Sequence, residues 1–130
     1  MTRAEMLRHA EEWIAAWNRG DVERVLADFA ERARFVSPRA ALIVGKAELH
    51  GKAAIGAYWR RAIEKNGVPR FRLDSVICDP ERREMVVIYD RLNDGTVVRA
   101  CEFMRFDKNS KQIEGEAMYG ADRTIAMARG

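Results

Sequence analysis

The stretch TVVRACEFMRFD, Thr96 to Asp107, decides the fold. Strand side chains alternate between faces, so Val98, Ala100, Glu102, Met104 and Phe106 share one side of a sheet. Four of these are apolar and turn that side toward a core. The fifth is a carboxylate, which on an apolar face must stay protonated, find a buried partner or border a cavity. The opposite face carries Val97, Arg99, Cys101, Phe103 and Arg105 and is mixed in character. A one-residue slip would return Glu102 to solvent, and Phe103 keeps that alternative open.

Upstream of this strand, Asn93-Asp94-Gly95 is a hairpin signal, and Met85 to Leu92 is a nearly continuous apolar strand. Before it, Asp79-Pro80 turns the chain, and Phe71, Leu73, Ser75 and Ile77 alternate with Arg70, Arg72, Asp74 and Val76. Downstream, Lys108-Asn109-Ser110 turns again and Gln112 to Tyr119 forms the last strand. The result is a four-stranded antiparallel meander. The ten residues after Gly120 read as a loosely held tail.

The first half of the chain has helical period. Thr2 with Glu5 makes a capping box, and Met6, Ala10, Trp13, Ile14 and Trp17 form an apolar stripe on a helix over Thr2 to Asn18. Gly20 stops it and Asp21 caps a second helix with Val22, Val25, Leu26 and Phe29 as its buried face. Ala33 to Val36 is a short strand ended by Ser37-Pro38. In Arg39 to Leu49, the run Ala40-Ala41-Leu42-Ile43-Val44 fits a short strand or a covering loop. His50-Gly51-Lys52 leads into a third helix, about Ala53 to Lys65, with Ile55, Tyr58, Trp59, Ala62 and Ile63 apolar.

Composition bounds the function classes. The 130 residues fit one domain, and 48% hydrophobic content is enough to bury a core. No apolar run reaches the roughly 20 residues of a membrane helix and no signal peptide opens the chain, which argues for a cytoplasmic protein without a membrane partner. Cys78 and Cys101 read as two reduced thiols. The net charge of +3 comes with scattered arginines, not a basic patch with stacking aromatics, which argues against nucleic-acid binding. No metal-ligand spacing or phosphate-binding glycine loop occurs, so neither a metal nor another cofactor is expected.

Three leading helices and a following meander predict an α+β fold: a cone-shaped, strongly curved, mostly antiparallel sheet with three helices packed on its concave side. Such a cone encloses a hollow where an apolar pocket forms. Several stretches, taken in order, then carry a resemblance. They are Trp17-Asn18-Arg19-Gly20-Asp21, Phe35-Val36-Ser37-Pro38, His50-Gly51-Lys52 with Ile55 and Tyr58-Trp59, and Glu102-Phe103-Met104-Arg105-Phe106-Asp107. The chain resembles the nuclear transport factor 2-like superfamily, in its SnoaL-like and ketosteroid isomerase-like branch. Homodimers across the open sheet face are common there, so the resemblance implies a homodimer through the sheet.

The resemblance also allows a mechanism to be tested. Ketosteroid isomerases use an Asp base and an oxyanion hole built from a Tyr and a neutral acid. On this chain the neutral acid falls on Glu102, in agreement with the alternation argument. The base falls on Ser37, the oxyanion tyrosine on Trp13, and its supporting phenols on Phe29 and Trp59. Serine is no base at neutral pH and an indole donates one hydrogen bond at most. Steroid isomerase activity is therefore rejected. The segment between Pro38 and His50 also looks longer than in those enzymes.

Glu102 is the candidate acid or ligand anchor. The alternative is a satisfied buried group, paired with Arg91, Arg99 or Arg105 or hydrogen-bonded to Trp13 or Tyr89. Asp90, Glu114 and Glu116 are candidates for a second carboxylate, with a strand edge or the solvent face as the plainer reading of each. His9 beside the first helix stripe and His50 in a turn are weaker bases. Trp13, Trp17, Phe35, Ser37, Tyr58, Trp59, Tyr89, Met104 and Tyr119 are the candidate ligand-binding residues, and core packing is their plainer explanation. The composition suits a small, apolar or aromatic, planar or polycyclic ligand. Two functions follow: a small-molecule-binding domain able to use Glu102 for a cofactor-free isomerisation, cyclisation or hydration, or a non-catalytic dimeric interaction module.

Overall fold

Thr2 caps the first helix as its spacing to Glu5 requires: each side chain bonds the other's backbone N–H, at 3.1 and 2.8 Å. The computed structural model describes residues 1–124, the side chains of 122–124 excepted. Helix α1 spans Arg3–Arg19 and buries Met6, Ala10, Trp13, Ile14 and Trp17. Gly20 ends it at φ 71°, a left-handed conformation that favours glycine. Helix α2 is Val22–Ala27, strand β1 Phe29–Val36, helix α3 Pro38–Val44 and strand β2 Glu48–His50. Helix α4, Lys52–Asn66, precedes the meander β3 (Phe71–Asp79), β4 (Glu84–Asn93), β5 (Thr96–Phe106) and β6 (Gln112–Thr124).

One six-stranded sheet runs β2-β1-β6-β5-β4-β3, antiparallel except where β1 pairs with β6. The curved α+β architecture is as expected, with four differences. Phe29 is the first residue of β1, not the end of α2, because the helix stops at Asp28. The run Ala40 to Val44 is helical: Ser37 caps it, Pro38 sits in its first turn and Gly45 closes it at φ 81°. Apolar content without clear period hid this fourth helix. In β3 the pairing shifts between Leu73 and Ser75, so Val76 and Cys78 turn inward and Ile77 is 61% exposed. Finally, β6 continues past Tyr119 to Thr124, correcting the expected loose tail that far; the rest of that tail lies outside the described residues.

Register stacks the inner face in rows about 6.8 Å apart. Met85, Met104 and Gly115 form one row, then Val87, Glu102 and Ala117, then Tyr89, Ala100 and Tyr119. Arg91 opposite Val98 forms the row above. Helices α1 and α4 close the concave side, with Trp17 edge-on to Trp59 at 5.0 Å and Trp13 edge-on to Tyr89 at 5.3 Å. On β5, the alternation breaks where pairing with β6 shifts between Val98 and Ala100: Val97 is buried and Val98 only half-buried. Among the described residues, no helix is long and apolar enough to cross a membrane. Cys78 and Cys101 are unpaired.

Asn18 joins the helices to the meander. Its amide donates to the Phe71 carbonyl at 2.9 Å and its carbonyl accepts from the Phe71 N–H at 2.7 Å. The first strand of the meander is thereby held against the end of α1, with Phe71 stacked on Trp13. Removing two such bonds with Asn18→Ala is expected to cost about 1–2 kcal/mol in urea unfolding. A loss under about 0.3 kcal/mol would show that the clamp does not hold the strand.

Candidate active site

The hollow predicted by the curved sheet is present as a cavity of about 80 Å³. Trp13 and Trp17 come from α1, Tyr58, Trp59, Ala62 and Ile63 from α4, and Phe35 from β1. The meander adds Phe71, Tyr89, Glu102, Ala117 and Tyr119. Every sequence-predicted site residue lines it except Met104. That side chain points inward as expected, but one row below Glu102, where the core covers it completely. Phe29 likewise packs edge-on against Trp59 inside the core and does not line the cavity.

Glu102 is 3% exposed. Among the described residues no hydrogen bond or ion pair holds its carboxyl. Of its proposed cationic partners, Arg99 bonds Asp90 and Asp74 and Arg105 bonds Glu84 and Glu114, while Arg91 lines the same cavity without pairing with it. Burial with no compensating cation pushes its pKa up to about 8, so the group is a neutral acid at pH 7. Its charge, when present, would also oppose ionisation of Tyr89 and Tyr119. Burial comes first in raising both phenols, Tyr119 to about 12 and Tyr89 well above its ordinary value. Tyr58 is raised by burial as well, partly offset by the polar Ser37 side chain.

Ser37 lies buried against the cavity, and its hydroxyl caps α3 by accepting from the Arg39 N–H at 3.2 Å. Its part is thus to turn the chain into the helix that carries Arg39. The candidate second carboxylates all face away from Glu102. Asp90 lies on the outer face between Arg72 and Arg99, and Glu114 on the same face bonds Arg105. Glu116 pairs opposite Phe103 on that outer side. His50 is exposed and contacts Glu48 at 2.8 Å. His9 sits on α1 with its side chain largely covered, 3.7 Å from Asp28 and edge-on to Phe106, and burial lowers its pKa. No cluster able to hold a metal ion occurs among the described residues.

Sequence reasoning missed Arg39, Asn66, Phe71 and Ala117 as lining residues, and weighed Arg91 only as a partner for Glu102. Period-two alternation places Arg91 on the face of Val87 and Tyr89, and the same rule marks Ala117 and Phe71. Arg39 was not legible without α3. The arrangement combines an apolar, aromatic chamber with one neutral acid, several phenols and two guanidinium groups toward its mouth. It can bind a small molecule and supply one proton from Glu102. A base to complete a steroid-isomerase mechanism is missing at Ser37.

Comparison with known proteins agrees with this geometry. The family profile of the SnoaL-like domain matches residues 10–114. No functionally curated protein matches the sequence. The crystal structure of a SnoaL-like protein of unknown function from Burkholderia thailandensis is 26% identical, with a TM-score of 0.81 over 92% of this chain and 98% of that one. A protein of unknown function with a cystatin-like fold from Methylobium petroleophilum is also 26% identical, with a TM-score of 0.75 over 99% of this chain and 84% of that one. At 15% identity, SalBIII shares the fold, with a TM-score of 0.72 over 93% and 96% of the two chains. It is described as an epoxide hydrolase/cyclase-like enzyme in pyran ring formation in the polyether salinomycin. With the profile covering most of the sequence, this chain belongs to the SnoaL-like domain family.

Proposed function

We propose that the protein binds a small apolar or aromatic molecule in the cone, with Glu102 as the neutral acid that donates to it. One observation carries this reading: a carboxyl group with no protein partner among the described residues stands against an aromatic cavity. A buried polar group left without a partner costs about 1–3 kcal/mol, and a ligand acceptor would recover part of that. The chemistry such a group serves is a cofactor-free isomerisation, cyclisation or hydration, in which Glu102 protonates an oxygen. Ring formation is described for SalBIII on this fold, which lends the cyclisation reading a precedent. The about 80 Å³ available is small beside an engineered ~150 Å³ cavity that admits benzene, so the cone takes no more than a single ring, part of it toward the mouth, and not a polycyclic ligand.

The chain functions in the cytoplasm as a homodimer through the outer face of its sheet. There Ile77 and Met118 are 61% and 42% exposed beside half-buried Phe103. These side chains also favour the second reading, a dimeric interaction module without catalysis. The two readings separate on ligand binding. Trp13, Trp17 and Trp59 are the chain's three tryptophans and all line the cavity, so intrinsic fluorescence reports occupancy. A screen of small aromatic acids, amides and lactones is expected to give saturable quenching with some members; flat titrations throughout would leave only the interaction module.

A further inference from the structure

The polar groups of the cavity are unbalanced. Around it stand the Arg39 and Arg91 guanidinium groups, the hydroxyls of Ser37, Tyr58, Tyr89 and Tyr119, and the Trp13 indole N–H, which is buried without an acceptor. Glu102, neutral in place, adds another donor. Arginine has five N–H donors and no acceptor, and the indole likewise only donates. A site this rich in donors is complementary to a ligand rich in acceptors.

The two arginines give that complementarity a charge. Arg91 is half-buried, and desolvation, then the nearby Arg39 cation, lower its pKa. Two cations lining one apolar pocket repel each other, a cost that an anion between them would reverse. Among the described residues, neither has a carboxylate within ion-pairing distance, whereas Arg99 and Arg105 each lie between two. Arg91 also borders a second hollow of about 250 Å³, formed by Asn66, Gly67, Pro69 and Arg70 with the β4–β5 hairpin. Asp94 is the carboxylate on that hollow's wall, at the hairpin tip.

We propose that the ligand is a small carboxylic acid, its apolar end in the cone against Glu102 and its carboxylate at the mouth between Arg39 and Arg91. The rows of the sheet set its length. Arg91 lies two rows above Glu102, or about 14 Å along the strands. With both side chains reaching into that span, a single small ring and a one- or two-carbon spacer fill it. Arg39, on the helix that Ser37 caps, lines the same cavity from α3. This substrate class rests on the binding reading above and names what that reading leaves open.

Matched probes separate the two ideas. Phenylacetate and phenylacetamide have the same ring and spacer, and differ in charge. At pH 7, tryptophan quenching is expected to give a Kd for phenylacetate at least about tenfold below that for phenylacetamide. In Arg91→Gln, and more fully in Arg39→Gln/Arg91→Gln, that preference is expected to fall to about twofold or less while the amide keeps its affinity. Circular dichroism confirms that the variants fold. Equal affinity of wild type for the two probes overturns the carboxylate anchor and leaves the pocket reading intact. A preference that survives the double substitution overturns it too. If neither probe quenches, the anchor falls, and the pocket reading stands or falls with the wider screen.

Discussion

Glu102→Gln stabilises the protein at neutral and alkaline pH and leaves its stability in acid unchanged. The physical ground is the raised pKa, about 8 in the folded chain against an ordinary value of 4.5. Between those values the folded state keeps a proton that the unfolded chain has released, so stability falls as pH rises. The neutral side chain is at no disadvantage below the unfolded value. The whole penalty is reached above the folded one. At about 1.4 kcal/mol per unit, the span from 4.5 to about 8 amounts to roughly 5 kcal/mol. Glutamine has nearly the same shape and no charge at any pH, so it escapes the penalty.

Urea unfolding of both proteins at several pH values reads the difference directly, because other titrating groups largely cancel between them. Wild type and Glu102→Gln should coincide near about pH 4, diverge by about 1.4 kcal/mol per unit, and run parallel above about pH 8. Most substitutions at buried positions destabilise, so a gain of several kcal/mol from one isosteric change is hard to obtain by any other route. A constant difference across pH would mean that Glu102 titrates alike in the folded and unfolded chain.

Ala117→Leu should abolish ligand binding. Ala117 lies directly opposite Glu102 across β5 and β6, and opposed Cβ atoms in a sheet are about 5 Å apart. Its methyl group is buried at the cavity wall, so three added carbons extend into the about 80 Å³ beside the acid. Overfilling a packed core costs about 1–3 kcal/mol, and a cavity open at its mouth puts this change at the lower end. The ligand, in contrast, loses the space it occupies. For any compound that quenches the wild-type tryptophans, affinity should fall at least about a hundredfold, or about 2.7 kcal/mol, with the far-ultraviolet spectrum unchanged. Undiminished quenching would place the ligand outside the cone.

How much of this was legible beforehand can be traced residue by residue. Alternation along Ala100, Glu102, Met104 and Phe106 favoured Glu102 inside, while Phe103 on the other face left a one-residue slip open that only the pairing with β4 and β6 closes. The same alternation made Met104 look like a pocket residue. Direction toward the core was correct; depth was not, since depth depends on which row the helices cover. Alternation also failed at β3, where an irregularity after Leu73 reverses the faces and exposes Ile77.

The segment after Pro38 was misread for another reason. Ala40 to Val44 is too short for hydrophobic period to separate helix from strand. The deciding signals were local: Ser37 before Pro38 as a helix start, and Gly45 as its stop. Missing α3 meant missing Arg39. Arg91 could have been found from its place two residues beyond Tyr89. The tryptophans and tyrosines were identified from helical stripes and strand alternation, yet neither pattern says whether an aromatic faces a void or a neighbour.

The account depends on Glu102 being an uncharged acid at the wall of the cone. Carbon-13 carboxyl NMR of glutamate-labelled protein, with Glu102→Gln assigning the resonance, measures this directly across about pH 4 to 10. A midpoint near 8 is the predicted result. A midpoint near the ordinary glutamate value of about 4.3 would contradict it.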